Sequence, residues 1–349
     1  MHLKGNLDMN IFHFISDFKT GGVEIAAKSS LKNFTKDKKI FVVVFGSVSE
    51  NFISDLSKNQ KQKIINLNYK SWNFFSDVKN FLNFIKKYPP SVFLYSLWKS
   101  YFLLCIFKIL MPNVTHIVFF HSSKFFSLLD KFFKVISARI ADKIFVDSEA
   151  AAKFVKQFSD KKSTKISLMI NRQFDIPKKS FDELRFVFFG RINKVKRIDK
   201  AIELIKFLKE NKIKCSFSIY GVDDGDLNNL KIISAQNELE ESIFFKGELA
   251  HDELPRVLEK YNMFVQLSES EGMSMSTVEA MQNGLVCLVT PVGEIPNYTV
   301  NLKNAIHFND NESSLECLRN RLLLESVSAN AISTFSHSKT YSQSLEESI

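Results

Sequence analysis

Cysteine is scarce: the 349 residues hold four, at positions 105, 215, 287 and 317, and no two share a CxxC spacing. Their apolar or mixed surroundings read as buried thiols of a reducing compartment, which excludes a disulfide framework and a zinc site. Glycine is also sparse, at 11 residues. The Gly-Gly pair at 21–22 is not a GxGxxG fingerprint, and no acidic residue stands in dinucleotide register, which argues against a nicotinamide or flavin site. Long hydrophobic runs are missing as well. The most apolar stretch, residues 91–110 (SVFLYSLWKSYFLLCIFKIL), is broken by Lys99 and Lys108. A buried strand followed by an amphipathic helix, with lysines emerging at the rim and some lipid contact, fits it better than a membrane span. Asp8 interrupts the opening residues, and no cleavage pattern follows, so a signal peptide is not expected.

What is present begins with an ordinary globular balance, 45% hydrophobic and 24% charged. Phenylalanine is abundant, at 35 residues, which reads either as a Phe-rich core or as genomic bias. The net charge of +9 is unevenly spread. Residues 1–175 carry 27 Lys and Arg against 13 Asp and Glu, net +14, and the remainder carries 20 against 25, net −5. A basic first half points to an anionic partner: nucleic acid, a membrane surface or a phosphorylated substrate. Nucleic acid is the weakest of these, because no helix-turn-helix, zinc or aromatic-interleaved signature accompanies the charge.

The chain reads as repeated strand-then-helix units. In the first half, strands are expected over 10–17, 39–46, 63–67, 91–95, 115–120, 142–146 and 166–170. Helices follow at 23–31, 75–87, 98–110 and 131–141, and Pro89 and Pro90 stop the second of these. His121 stands at the carboxyl end of a strand, where ligands bind in α/β sheets, whereas His13 lies inside a strand pattern and reads as structural. Residues 171–180 resemble a linker. The pattern then restarts, with strands over 184–189, 216–220, 243–245, 263–267, 285–289 and 304–308. A helix over 252–261 is expected to be capped by His251 or Asp252, and the tail after 315 is expected to be helical. The acidic turn at 223–226 lacks the EF-hand register, so metal binding is not expected there. The fold class is α/β, with two Rossmann-like parallel-sheet domains. They are placed at 1–175 and 181–325, with a helical tail over 326–349 that packs back on the first domain.

Residues 268–284, SESEGMSMSTVEAMQNG, organise the second half. Strand, glycine turn and helix leave free N–H groups at a strand's carboxyl end, where an anion can sit. Ser274 and Ser276 are equal candidates for the N-cap, and Ser276 with Glu279 has the spacing of a capping box. Arg191 and Lys196, Gly221, Glu271 with Gly272, Glu279, and the loop of Gly293 and Glu294 all follow strands. In a parallel sheet they share one edge. Two cations and a helix terminus suit a diphosphate, and the two carboxylates suit the hydroxyls of a ribose and a hexose.

These residues resemble the retaining nucleotide-sugar glycosyltransferases of family 4, which have the GT-B fold of two Rossmann-like domains facing a cleft. GRINKVK is similar to their GR…K signature, and SESEGMSMSTVEAMQNG to their E-x7-E motif, with Glu271 and Glu279 as the pair. KTGGVE, IVFFH, DKIFVDSE and TPVGEIPNYTV resemble further elements, so the likeness covers about residues 10–310. It implies that Arg191 and Lys196 hold the donor diphosphate and that Glu271 meets the sugar hydroxyls. Backbone groups of Gly272, Met273, Ser274 and Met275 would meet sugar or phosphate, and Glu279 the ribose. His121 would face the sugar from the first domain, with Gly22 close to the phosphates and Gly221 in the nucleotide site. The family's glycine at position 274 is Ser274 here, and its common Gly-Gly pair is Val292-Gly293. The resemblance further implies a UDP-sugar or, next, a GDP-sugar as donor, and no obligatory cofactor or metal. The acceptor would be a glycan or lipid-linked saccharide of surface polysaccharide or lipopolysaccharide synthesis. The protein would be cytoplasmic, or peripheral on the anionic inner face of a bacterial inner membrane. A nucleotide-sugar epimerase or hydrolase is the enzymatic alternative, and a basic nucleic-acid-binding protein the alternative of another class.

Overall fold

Runs such as Lys38–Val44 (KKIFVVV) are apolar without alternation, a pattern satisfied only where both faces of a strand are covered. The computed structural model, which describes residues 9–35, 38–69, 74–173 and 175–349, covers them in this way. The leader reading at the opening residues and the linker position Phe174 fall outside the described residues. The chain divides into two compact units, Met1–Ile170 with Lys339–Ile349, and Asn171–Ser338.

The first unit is a seven-stranded parallel sheet. Its strands are β1 (Met9–Ile15), β2 (Lys38–Val44), β3 (Ile64–Asn66), β4 (Val92–Ser96), β5 (Thr115–Phe120), β6 (Lys143–Val146) and β7 (Ser163–Lys165). Their order is β3-β2-β1-β4-β5-β6-β7, so the winding reverses between β1 and β4. Many of the phenylalanines pack together in this core: Phe12 stacks on Phe41 at 4.9 Å, and Phe14 meets Phe93 edge-on at 5.2 Å. Residues 91–110 form β4 and the helix Trp98–Leu110. Among the described residues no helix is long and apolar enough to cross a membrane.

The second unit is a six-stranded parallel sheet of β8 (Leu184–Phe189), β9 (Cys215–Tyr220), β10 (Ile243–Gly247), β11 (Met263–Gln266), β12 (Val286–Val289) and β13 (Ile306–His307). The order is β10-β9-β8-β11-β12-β13, with the reversal between β8 and β11. Helix Ile198–Glu210 shows why such units form. Ile198, Ala201, Ile202, Ile205 and Leu208 recur at helical spacing and are buried against the sheet. The α/β class with two Rossmann-like sheets, expected from the sequence, is the architecture observed.

Two local expectations are corrected. Ile166, Leu168, Met169 and Ile170 are buried but lie outside the ladder, since β6 ends at Val146 and leaves them no partner strand beyond the contact of Ile166 with Val146. The helix expected over 252–261 is the short turn Leu254–Leu258, with Glu253 rather than His251 or Asp252 at its N-cap. The tail forms the helices Asn311–Arg319, Arg321–Thr334 and Tyr341–Ser348. The last belongs to the first unit, where the Tyr341 amide donates to Met169 and Glu346 accepts from the Thr35 amide.

Candidate donor site

Strand β11 ends on Gln266, which is buried, and a buried amide must find partners. Its Nε2 donates to Glu271 Oε1 and to Ser274 Oγ, each at 2.7 Å. Ser274 Oγ continues to Thr277 Oγ1 at 2.8 Å. Ser274 is the N-cap of helix Met275–Gln282, in the left-handed region at φ 53°, and its side chain makes no capping bond. The first N–H groups of that helix therefore face the turn without intrahelical acceptors.

Lys196 closes the cluster. It ends the short 3-10 turn Lys194–Lys196, and its Nζ lies 2.7 Å and 2.9 Å from the two oxygens of Glu271. The lysine side chain is 18% exposed and the glutamate 6%, so solvent screens this pair far less than a surface pair. The Glu269 amide donates to the Val195 carbonyl at 2.9 Å, tying the turn after β8 to the end of β11. The cluster thus sits at the topological reversal of the sheet, where α/β folds bind ligands.

Two glycines permit this approach. A Cβ on Gly221 would lie 1.7 Å from the Gly190 carbonyl oxygen, and Gly221 has φ of 156°. A Cβ on Gly293, at φ 62°, would lie 2.1 Å from the Glu271 carbonyl oxygen. The loop after β12 is consequently pressed on Glu271 and Gly272, and the Glu294 amide donates to the Gly272 carbonyl at 3.0 Å. Tyr298 supports the same turn by donating its hydroxyl to the Met273 carbonyl at 2.9 Å, and burial holds that phenol well above its usual range.

Not every expected residue joins the cluster. Arg191 is 63% exposed and lies 3.6 Å from Asp224, a loose surface contact outside the cluster. Glu279 forms no capping box; its Oε1 meets His251 Nε2 at 2.5 Å. The acidic turn is closed on itself, because Asp223 Oδ1 accepts the amides of Gly225, Asp226 and Leu227. Those bonds hold its carboxyl below the usual carboxylate range. Among the described residues no three His, Cys, Asp or Glu side chains group to hold a metal ion.

The first unit carries its own network at the ends of β1, β4, β5 and β6. His121 Nδ1 lies 3.2 Å from Asp147 Oδ2, and its Nε2 lies 3.1 Å from Ser96 Oγ. Ser96 Oγ in turn lies 2.8 Å from His13 Nε2. An ionised carboxylate only accepts, so His121 donates from Nδ1 and accepts the Ser96 hydroxyl at Nε2 when neutral. Ser96 then accepts from His13 Nε2. Burial pushes His13 down to about 3, so it is neutral. Ser96 is fully buried, which rules it out as an acyl nucleophile despite its Ser-His-Asp neighbours. Gly22 opens helix Gly22–Asn33 after the extended N-cap Gly21, again with no side-chain cap.

Gln266, His251, Tyr298, Ser96 and Asp147 were not among the residues expected at the site. A polar Gln closing an apolar strand was the available signal for Gln266. His251 offered none, since its partner Glu279 is 28 residues away.

Comparison with known proteins adds the following. Residues 169–333 match the family described as glycosyl transferases, group 1. The UDP-N-acetylglucosamine–peptide N-acetylglucosaminyltransferase GtfA subunit of Streptococcus pneumoniae is 30% identical over 96 residues, 28% of this chain and 18% of that protein. HepE of Anabaena, solved in complex with UDP-glucose, is similar at a TM-score of 0.78 and 15% identity, over 97% of this chain and 99% of that one. TarM of S. aureus, solved as a mutant with fondaparinux, α-GlcNAc-glycerol and UDP, gives 0.65 and 18% over 78% and 58%. The chain therefore spans under a fifth of the curated relative and somewhat over half of the TarM chain. The structural likenesses, at these identities, speak for the fold.

Proposed function

We infer that this chain, whose residues 169–333 match the group 1 glycosyl transferases, moves a sugar from a nucleoside-diphosphate sugar to a hydroxyl of a glycan or lipid-linked saccharide. The observation that carries this reading is the part-buried Lys196–Glu271 pair, held by Gln266 beside an uncapped helix terminus at the sheet's reversal. UDP-sugars are the first choice of donor, with GDP-sugars next. The S. pneumoniae relative is named for UDP-N-acetylglucosamine, and the Anabaena and S. aureus proteins were solved with UDP-glucose and UDP, which supports that order.

On this reading the donor diphosphate lies across the N-terminus of helix Met275–Gln282. Lys196 shares its ammonium between Glu271 and a phosphate oxygen, and the exposed Arg191 turns from Asp224 onto the other phosphate. Backbone groups of Gly272, Met273, Ser274 and Met275 complete the cradle. Glu271 accepts hydroxyls of the sugar, and Glu279, braced by His251, accepts those of the ribose. Gly221 lets the nucleotide approach the backbone. The bond from the anomeric carbon to the phosphate oxygen breaks while the acceptor oxygen bonds that carbon on the same face, retaining configuration. The acceptor's proton passes to the departing phosphate oxygen. Lys196, Arg191 and the helix terminus stabilise the charge that develops there, the part of the barrier that a preorganised site lowers most.

Residues 1–175 then form the acceptor domain and 181–325 the donor domain, with 326–349 as tail. The +14 balance of the first suits a phosphate-bearing, lipid-linked acceptor of cell-surface polysaccharide or lipopolysaccharide synthesis, met from the cytoplasm at the anionic inner face of a bacterial membrane. A thermal-shift panel of UDP-, GDP-, TDP- and ADP-sugars tests the donor. One of them should raise the melting temperature; no shift with any sinks the reading. Labelled donor should also persist until an acceptor is added, whereas an epimerase or hydrolase consumes it alone.

A further inference from the structure

Helices Trp98–Leu110 and Leu128–Ile140 pack side by side in the first unit, and both turn apolar side chains outward. Phe102, Ile106 and Ile109 recur at i, i+4 and i+7 on the first helix, a stripe that a water-exposed helix normally buries. Leu128, Leu129 and Phe132 stand exposed on the second. The ring of Phe133 lies 5.8 Å from Phe102 and 5.3 Å from Phe132, joining the stripes into one surface. Eight of the ten large hydrophobic side chains described as exposed in this unit fall within residues 102–132. Scattered exposed apolar residues need no explanation, but a concentration of this kind marks a surface that meets something.

Charge decides what it meets. Residues 98–140 hold six Lys and Arg and one acid, Asp130. Asp130 and Lys134 are both buried and paired at 3.0 Å, and Lys108 meets Asp142 at 2.6 Å, so the surface excess is carried by Lys99, Lys124, Lys131 and Arg139. Lys124 lies over the Phe126 ring at 5.5 Å and Lys131 over the Phe125 ring at 5.7 Å, which interleaves cations with the apolar groups. A second copy of this chain would set lysines against lysines. A nucleic acid would answer the lysines but leave Ile109 and Leu128 in water, at 80% and 86% exposure. An anionic bilayer accepts both, taking the apolar tips below its headgroups and the lysines among them.

We propose that this two-helix face docks on an anionic lipid surface, with Ile109 and Leu128 as its inserted tips. The inference rests on the reading of a peripheral enzyme with a lipid-linked acceptor, and gives that reading a place on the molecule. The full-length protein is sedimented with vesicles of equal parts phosphatidylglycerol and phosphatidylcholine, and with phosphatidylcholine alone. It should partition to the anionic vesicles and be released by salt. The double variant Ile109→Ser/Leu128→Ser should bind them about tenfold less, while Leu322→Ser, an equally exposed site in the second unit, should bind as the parent does. Thermal shifts with nucleotide sugars, run on the same proteins, separate this from the donor reading, because the double variant should keep them. The proposal is overturned if the parent ignores anionic vesicles, if the double variant binds them equally, or if the parent is a dimer that the double variant dissolves.

Discussion

Ser274 occupies the position where the resembling motif carries glycine, and its φ of 53° gives the physical reason for that glycine. Serine keeps the left-handed turn because its hydroxyl is tied to Gln266 and Thr277. Ser274→Ala should therefore lose about 1–2 kcal/mol, retaining the strain without the bonds, and Ser274→Gly should melt above Ser274→Ala. The reverse order in a urea titration would contradict this account of the turn. His13 gives a pH-dependent prediction. Its pKa falls from 6.5 in the unfolded chain to about 3 when buried, so between those values the unfolded chain binds the extra proton. The stability it contributes is full above the unfolded pKa and declines as pH falls toward the folded one. The stability gap between the parent and His13→Gln should narrow by about 2 kcal/mol from pH 7 to pH 5. A gap that widens would mean that His13 is not held neutral.

At the scale of elements, the ends of β8 and β9 meet through Gly190 and Gly221. Gly221→Ala puts a methyl group 1.7 Å from a backbone oxygen and should cost about 3 kcal/mol or more. Gly225→Ala, also at positive φ but facing open space, should cost only about 1 kcal/mol. Equal losses in denaturant melts would show that the strand ends do not need their close approach. Strands such as Lys38–Val44 were legible in the sequence because continuous apolar runs need two covered faces, and helix Ile198–Glu210 because its apolar period is 3.6. Residues 166–170 looked like a strand for the same reason, and only the length of β6 denies them a ladder. The turn holding Glu271 was legible as an anion site. Its pairing with Lys196 was not, because 75 residues separate them and charge attraction leaves no period in a sequence. The capping box at Ser276 does not form because the helix starts at Met275 with Ser274 as its N-cap, which leaves Ser276 inside the first turn and Glu279 to meet His251.

For the whole molecule, the account divides labour between a basic first half, net +14, and a second half, net −5, that sets Lys196 against Glu271 at the end of its sheet. The first would choose the acceptor and the second would hold the donor. Lys196 and Glu271 carry the central claim, and calorimetric titration of a UDP-sugar and of UDP into the parent, Lys196→Ala and Glu271→Ala tests it most directly. Lys196→Ala should weaken both ligands about tenfold, the loss of one charge-assisted bond. Glu271→Ala should keep UDP within a few-fold and lose the preference for the sugar-bearing form. If both variants bind both ligands as the parent does, or the parent binds neither these nor the GDP counterparts, the Lys196–Glu271 pair is not a donor site.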